Sequence, residues 1–172
     1  MSALDDPQTR TALAAHRAGA LRWLGGGASA IVLGFLLAAA VVRIVRDTGT
    51  RPPFGGLLVV VLVVVGLCAV LVGVGALVRT QRWTRALAGT SWRRGVLRVA
   101  SPADLHVEPA GYDELTDEPL RLCLLSTAVW RTRAVERLAD AEVSYAPAGG
   151  REWLLTADGA GTVYGAREVK RR

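Results

Sequence analysis

Residues 23–42 carry no charged side chain, and neither do residues 52–78. These runs are 20 and 27 residues long, and a helix needs roughly 20 apolar residues to cross a hydrocarbon layer about 30 Å thick. A soluble domain interrupts its apolar residues with a period of two or 3.6, and neither run does so. The pattern predicts two transmembrane helices, over 23–44 and 57–78. A cleaved secretory signal fits less well, because its apolar core of roughly 7–15 residues follows a short basic lead. Here the first run follows a 22-residue polar segment and is itself followed by Arg43 and Arg46.

The connection between the runs, 45–56, is rich in turn formers: Asp47-Thr48-Gly49-Thr50, Pro52-Pro53 and Gly55-Gly56. A dozen residues can join antiparallel neighbours but cannot house a domain, so the chain reads as a tight helical hairpin. Orientation follows from where arginine lies near the apolar runs. Arg10, Arg17 and Arg22 precede the first run, and Arg79, Arg82, Arg85, Arg93, Arg94 and Arg98 follow the second. Only Arg43, Arg46 and Arg51 lie between them. Nine arginines against three predict a multi-pass protein of the cell (inner or plasma) membrane with both termini cytoplasmic. The basic residues are almost all arginine, with Lys170 the only lysine. Together with the Ala, Gly and Val content, that composition is associated with high-GC bacterial genomes.

Small residues mark one face of each run: Gly26, Ala30, Gly34 and Ala38 in the first, and Gly66, Ala69, Gly73 and Ala76 in the second. In lipid, helices associate through packing, and small residues let backbones approach closely. The stripes predict a seam within the hairpin or against a second copy; the alternative is chance scatter in an Ala- and Gly-rich chain. No charged or carboxamide side chain lies within either run, which argues against an ion or proton pathway.

The lead, 1–22, opens with Asp6-Pro7, an N-cap followed by proline at the first helical position. It predicts a helix from about residue 7 that feeds the first span. Past the second span, 79–89 reads as a basic helical stalk ending at Gly89. Trp23 and Trp83 are expected as interfacial anchors, with Arg79, Arg82, Arg85, Arg93 and Arg94 meeting lipid headgroups. Trp92-Arg93-Arg94 offers too few stacking groups for a nucleic-acid surface.

Over 90–172 the pattern changes to short strands bounded by turns. Strands are expected at 96–99, 105–107, 120–125, 143–145, 153–156 and 163–164. A short amphipathic helix is expected around Trp130, Ala134 and Leu138. Pro147-Ala148-Gly149-Gly150 and Asp158-Gly159 mark hairpin turns. The fold class is therefore a membrane α-helical hairpin plus a small, mostly β cytoplasmic domain, an OB-like or SH3-like barrel or sheet with one short helix.

Between 104 and 118 lie Asp104, Glu108, Asp113, Glu114, Asp117 and Glu118, with no basic residue among them. The set is a possible docking surface for a basic partner, a partner for the stalk arginines, or a solvated loop. EF-hand spacing is absent. Neither Cys68 nor Cys123 has a partner at metal or redox spacing, and both are expected as small buried hydrophobes. His16 and His106 are the only histidines. Ser126-Thr127 lack a nucleophile-elbow setting, and Gly25-Gly26-Gly27 opens an apolar helix, where it cannot cradle phosphate. Asp104, His106 and Glu108 would share one face of a strand, the one grouping with the chemistry for an enzyme. No cofactor, metal, small-molecule substrate or nucleic acid is inferred, and no enzymatic activity is expected.

Trp92, Leu120-Arg121-Leu122, Trp130-Arg131 and the closing Val163-Tyr164-Gly165-Ala166-Arg167 resemble uncharacterised two-span membrane proteins of actinobacteria. The overall plan is similar to NfeD-type proteins, which attach an OB-like domain to membrane helices and work beside membrane proteases or flotillins. That likeness is one of plan, and no residue role follows from it. The expected function is a membrane-anchored interaction or scaffold module, acting on a protein partner or a second copy. The alternatives are an anionic-lipid sensor built on residues 79–98, an accessory subunit of a larger membrane complex, or an enzyme with an unrecognised site in the β domain.

Overall fold

The computed structural model describes residues 2–49, 53–101, 103–113, 117–126 and 129–169, without the side chains of 129–131. Arg51, Glu114, Thr127 and the Trp130 side chain therefore lie outside the described residues. Two helices, α1 (Pro7–Thr48) and α2 (Gly55–Ala88), precede strands β1 (Arg93–Val99), β2 (Asp104–Pro109) and β3 (Leu120–Leu124). A short helix α3 (Val129–Glu136) leads to β4 (Glu142–Gly149), β5 (Glu152–Thr156) and β6 (Tyr164–Glu168). The chain divides into two compact units: Ala15–Thr80, and Met1–Ala14 with Gln81–Arg172.

The Ala15–Thr80 unit is an antiparallel pair of helices, both long and apolar enough to cross a membrane. Only 6% and 11% of their most apolar windows are buried within the protein, whereas the core helix of a soluble domain is mostly buried. The seam between them is backbone against backbone. A Cβ built on Gly27 would lie 2.7 Å from the carbonyl oxygen of Gly66, and one on Gly66 2.8 Å from that of Gly27. On either side, Gly73 meets the Ala20 carbonyl and Gly34 meets Val59 and Val63. Ala20, Gly27 and Gly34 climb α1 in steps of seven while Gly73, Gly66 and Val59 descend α2 in the same steps.

This corrects the expected stripe. Gly26 is exposed, with nothing within 4 Å of its added Cβ, and its neighbour Gly27 takes the seam. Ala30, Ala38, Ala69 and Ala76 are half-buried at the seam's edges. A stripe at every fourth residue drifts about 40° per step on a helix of 3.6 residues per turn. A step of seven drifts only about 20° and keeps one face on its neighbour. The outer faces are apolar, with Phe35 65% and Leu71 71% exposed. Cys68 is exposed among them and Cys123 is half-buried, so neither is the buried hydrophobe expected.

The other unit is built on a closed antiparallel barrel in the order β1-β2-β3-β6-β5-β4. Two three-stranded meanders, β1-β2-β3 and β4-β5-β6, are joined through α3. They close on each other where β1 pairs with β4 and β3 with β6. All six expected strands and the helix are present; closure leaves no free edge. Gly149 and Gly150 turn β4 into β5 with φ of 100° and 61°. Gly159, at φ 77°, turns β5 into β6. Leu97, Leu105, Val107, Leu122, Val143, Tyr145 and Leu155 fill the interior.

A second core covers the outside of β4 and β5. Ala146, Ala148, Leu154 and Val163 pack there against Leu13 and Ala12 of α1, Trp83 and Leu87 of α2, and Ala3. Adjacent Leu154 and Leu155 thus point into different cores and are both buried, which explains why this strand is apolar on both faces. Residues 81–88 are accordingly part of the barrel's unit and not a separate stalk. Trp83, expected at the headgroups, is 4% exposed. Its indole lies so close to β6 that a Cβ on Gly165 would be 2.8 Å from its Cζ2. An interfacial anchor cannot also be the centre of a dry core.

The lead is tied into the same unit. Asp6 caps α1, accepting from Gln8 N at 3.2 Å and from Thr9 N at 3.1 Å, as expected for an N-cap. Thr9 Oγ1 donates to Asp6 at 2.7 Å and accepts from Trp92 Nε1 at 3.2 Å. These hydrogen bonds, led by that from the Thr9 hydroxyl, hold the Asp6 carboxyl below its ordinary value. Ala3 N donates to the Thr90 carbonyl at 2.7 Å, and Gln8 Nε2 to that of Ala157 at 2.8 Å. At the other end of α2, Gly89 follows the helix without a left-handed φ, while Gly49, ending α1, has φ 67°.

Candidate functional site: an arginine-lined cleft

Within the barrel's unit, the last turns of α2 and the β4–β5 hairpin enclose an open cleft of about 820 Å³. Its walls are Arg82, Arg85 and Ala86 from α2, Ala148, Gly149 and Gly150 from the turn, and Arg151, Glu152 and Arg167. Arg82 and Arg85 are three apart on the helix and so lie on one face. Arg151 follows the glycine pair, and Glu152 at the start of β5 stands in register opposite Arg167 on β6. The glycines are required by their positive φ, since an added Cβ at either would meet nothing within 4 Å. Their lack of side chains leaves the mouth of the cleft open.

Four guanidinium groups and one carboxylate give the lining a net charge of +3. The carboxylate is held on the barrel wall, where Glu152 Oε2 accepts from Trp83 Nε1 at 3.4 Å. None of the four arginines forms an ion pair with a described carboxylate; pairs among the described residues include Arg94 with Glu142, and Arg98 with Glu108 and Asp140. Like charges gathered without counter-ions repel one another, and a bound anion would relieve that repulsion. Charge-assisted, forked guanidinium hydrogen bonds match phosphate and carboxylate oxygens.

The structure thus divides the basic residues of 79–98. Arg82 and Arg85 enter the cleft, and Arg79 lies in the other unit. Arg93 is exposed at the start of β1, and Arg94 pairs with Glu142 at 3.5 Å. Arg98 is neutralised by two carboxylates. The described acidic residues are held in separate local contacts. Glu108 is taken by Arg98, Asp104 accepts from the Ser101 hydroxyl at 3.1 Å, and Asp117 accepts from Asp113 N at 3.2 Å. Glu118 lines a different groove, with Pro109, Arg121 and Glu168.

Asp104, His106 and Glu108 share the outward face of β2, as expected, where His106 stands in register between Arg98 and Arg121. Among the described residues, no three His, Cys, Asp or Glu side chains are grouped to hold a metal ion. Sequence reasoning missed Arg151 and Arg167. The glycine turn before Arg151 was a legible signal, but nothing local connects either arginine to α2. No protein-family model, curated protein or solved structure matches this chain.

Proposed function

We propose that this chain is a membrane-anchored binding module. Its two apolar helices hold it in the bacterial cell membrane with both termini cytoplasmic, and its barrel captures an anionic partner at the inner surface. The observation that carries this reading is the convergence of Arg82, Arg85, Arg151 and Arg167 on one cleft, none of them ion-paired with a described carboxylate. Such a set binds and orients an anion but offers no nucleophile. The anchor is supported by the length, composition and exposure of the two helices, and the orientation by the distribution of arginine. Of the sequence-based alternatives, the anionic-lipid sensor built on residues 79–98 has Arg82 and Arg85 in the cleft, where Arg151 and Arg167 join them.

The test is topology in whole cells. The full chain should remain in the membrane pellet after an alkaline wash. A C-terminal fusion to green fluorescent protein should fluoresce, and the matching fusion to periplasmic alkaline phosphatase should be inactive. An active phosphatase fusion would overturn the orientation, and release by the wash would overturn the anchor.

A further inference from the structure

Building on the binding-module reading, we infer that the arginine cleft is a site for a phosphate-dense anion, one that carries at least two phosphate charges close together. The charge of the lining decides this. With Arg82, Arg85, Arg151 and Arg167 opposed by Glu152 alone, a single phosphodiester leaves most of the positive charge uncompensated, whereas a diphosphate or bisphosphate group comes close to neutralising it. Geometry points the same way. The arginines come from three elements, two on a helix, one on the β4–β5 turn and one on β6, so a ligand spanning them needs oxygens on more than one side. Arg167 sits on a barrel whose backbone is closed on itself, and Arg151 on the turn joining two of its strands, so this wall is built before any ligand arrives. The cleft volume of about 820 Å³ falls in the range of roughly 300–1,000 Å³ usual for small-ligand sites.

Two sources could supply this chemistry. Arg82 and Arg85 follow the last residue of the apolar run, Val78, by four and seven residues, about 6 and 10 Å of helix. That places the helix wall within reach of headgroup phosphates if the apolar run ends at the membrane surface. A soluble diphosphate presents the same oxygens.

The full chain in phosphatidylcholine nanodiscs should bind inorganic pyrophosphate by calorimetry, with affinity falling steeply between 50 and 300 mM salt, as guanidinium–phosphate contacts require. Arg151→Gln/Arg167→Gln on the β4–β5 turn and β6, and Arg82→Gln/Arg85→Gln on the helix, should each weaken binding at least tenfold. Arg94→Gln, outside the cleft, should leave it within twofold. All four cleft arginines are exposed, so unchanged circular dichroism and melting should accompany both double variants, and the two pairs on separate elements check each other. In a second arm the nanodiscs carry cardiolipin, whose two phosphates share one headgroup. Loss of pyrophosphate binding there assigns the cleft to lipid, and retention assigns it to a soluble diphosphate. The inference is overturned if neither pyrophosphate nor cardiolipin binds, or if binding persists in both double variants. Both faces of a nanodisc are open, so this outcome is independent of the orientation tested in cells.

Discussion

The same two helices are packed in two chemically different ways along their lengths. Over Ala15–Thr80 they meet through glycine and alanine, backbone against backbone, and turn large apolar side chains outward. In the barrel's unit their ends do the opposite: Trp83, Leu87 and Leu13 bury large side chains against Leu154 and Val163. The difference follows from the surroundings each segment suits. In water, removing large apolar groups from solvent is itself the driving force. In lipid that force is absent, and association depends on close fit.

The largest expected effect lies on the side-chain interface. Trp83→Ala should destabilise the barrel's unit by about 3–5 kcal/mol, the usual cost of emptying a large aromatic site. Faster hydrogen exchange across β4, β5 and β6 should report it, with little change in the hairpin. If β4–β6 exchange is unaltered, the second core is not what holds α2 to the sheet.

Next comes the backbone interface. Gly66→Leu places a side chain against the Gly27 carbonyl and should cost about 1–3 kcal/mol as overpacking, splaying the helices in spin-label distance measurements. Gly26→Leu, one residue off the seam, should change nothing. Equal effects of the two would break the assigned register. Gly34→Leu should fall between them, because its nearest neighbour is the Val63 side chain, which can move.

The smallest effect is at the cap. Asp6→Ala should cost about 1 kcal/mol and loosen the first turn of α1. Because the native carboxyl is held below its ordinary value of 3.8, its contribution is fully present above that value and is lost as pH falls through the lower native one. An acid titration followed by exchange at Thr9 should show this loss in the parent chain and not in the alanine variant.

Much of this architecture was legible locally. The charge-free runs marked both helices, Asp6-Pro7 marked where α1 begins, and alternation with glycine turns marked all six strands. Gly34, Gly66 and Gly73 of the expected stripes lie at the seam, but in the first run a step of four points to Gly26 where Gly27 stands. Trp83 was misread because tryptophan beside arginine after an apolar run has the same local signature whether it meets headgroups or a protein core.

By itself, then, the sequence determined the elements: helices from apolar length, strands from alternation, turns from glycine with positive φ. These depend on neighbours a few residues apart. Only the tertiary structure decided how the barrel closes, which glycine faces which, and that Arg151 and Arg167 join Arg82 and Arg85 in one cleft. Those outcomes depend on pairings between β1 and β4, β3 and β6, and α2 and the β4–β5 turn. Packing over long separations selects them, and no local pattern encodes them.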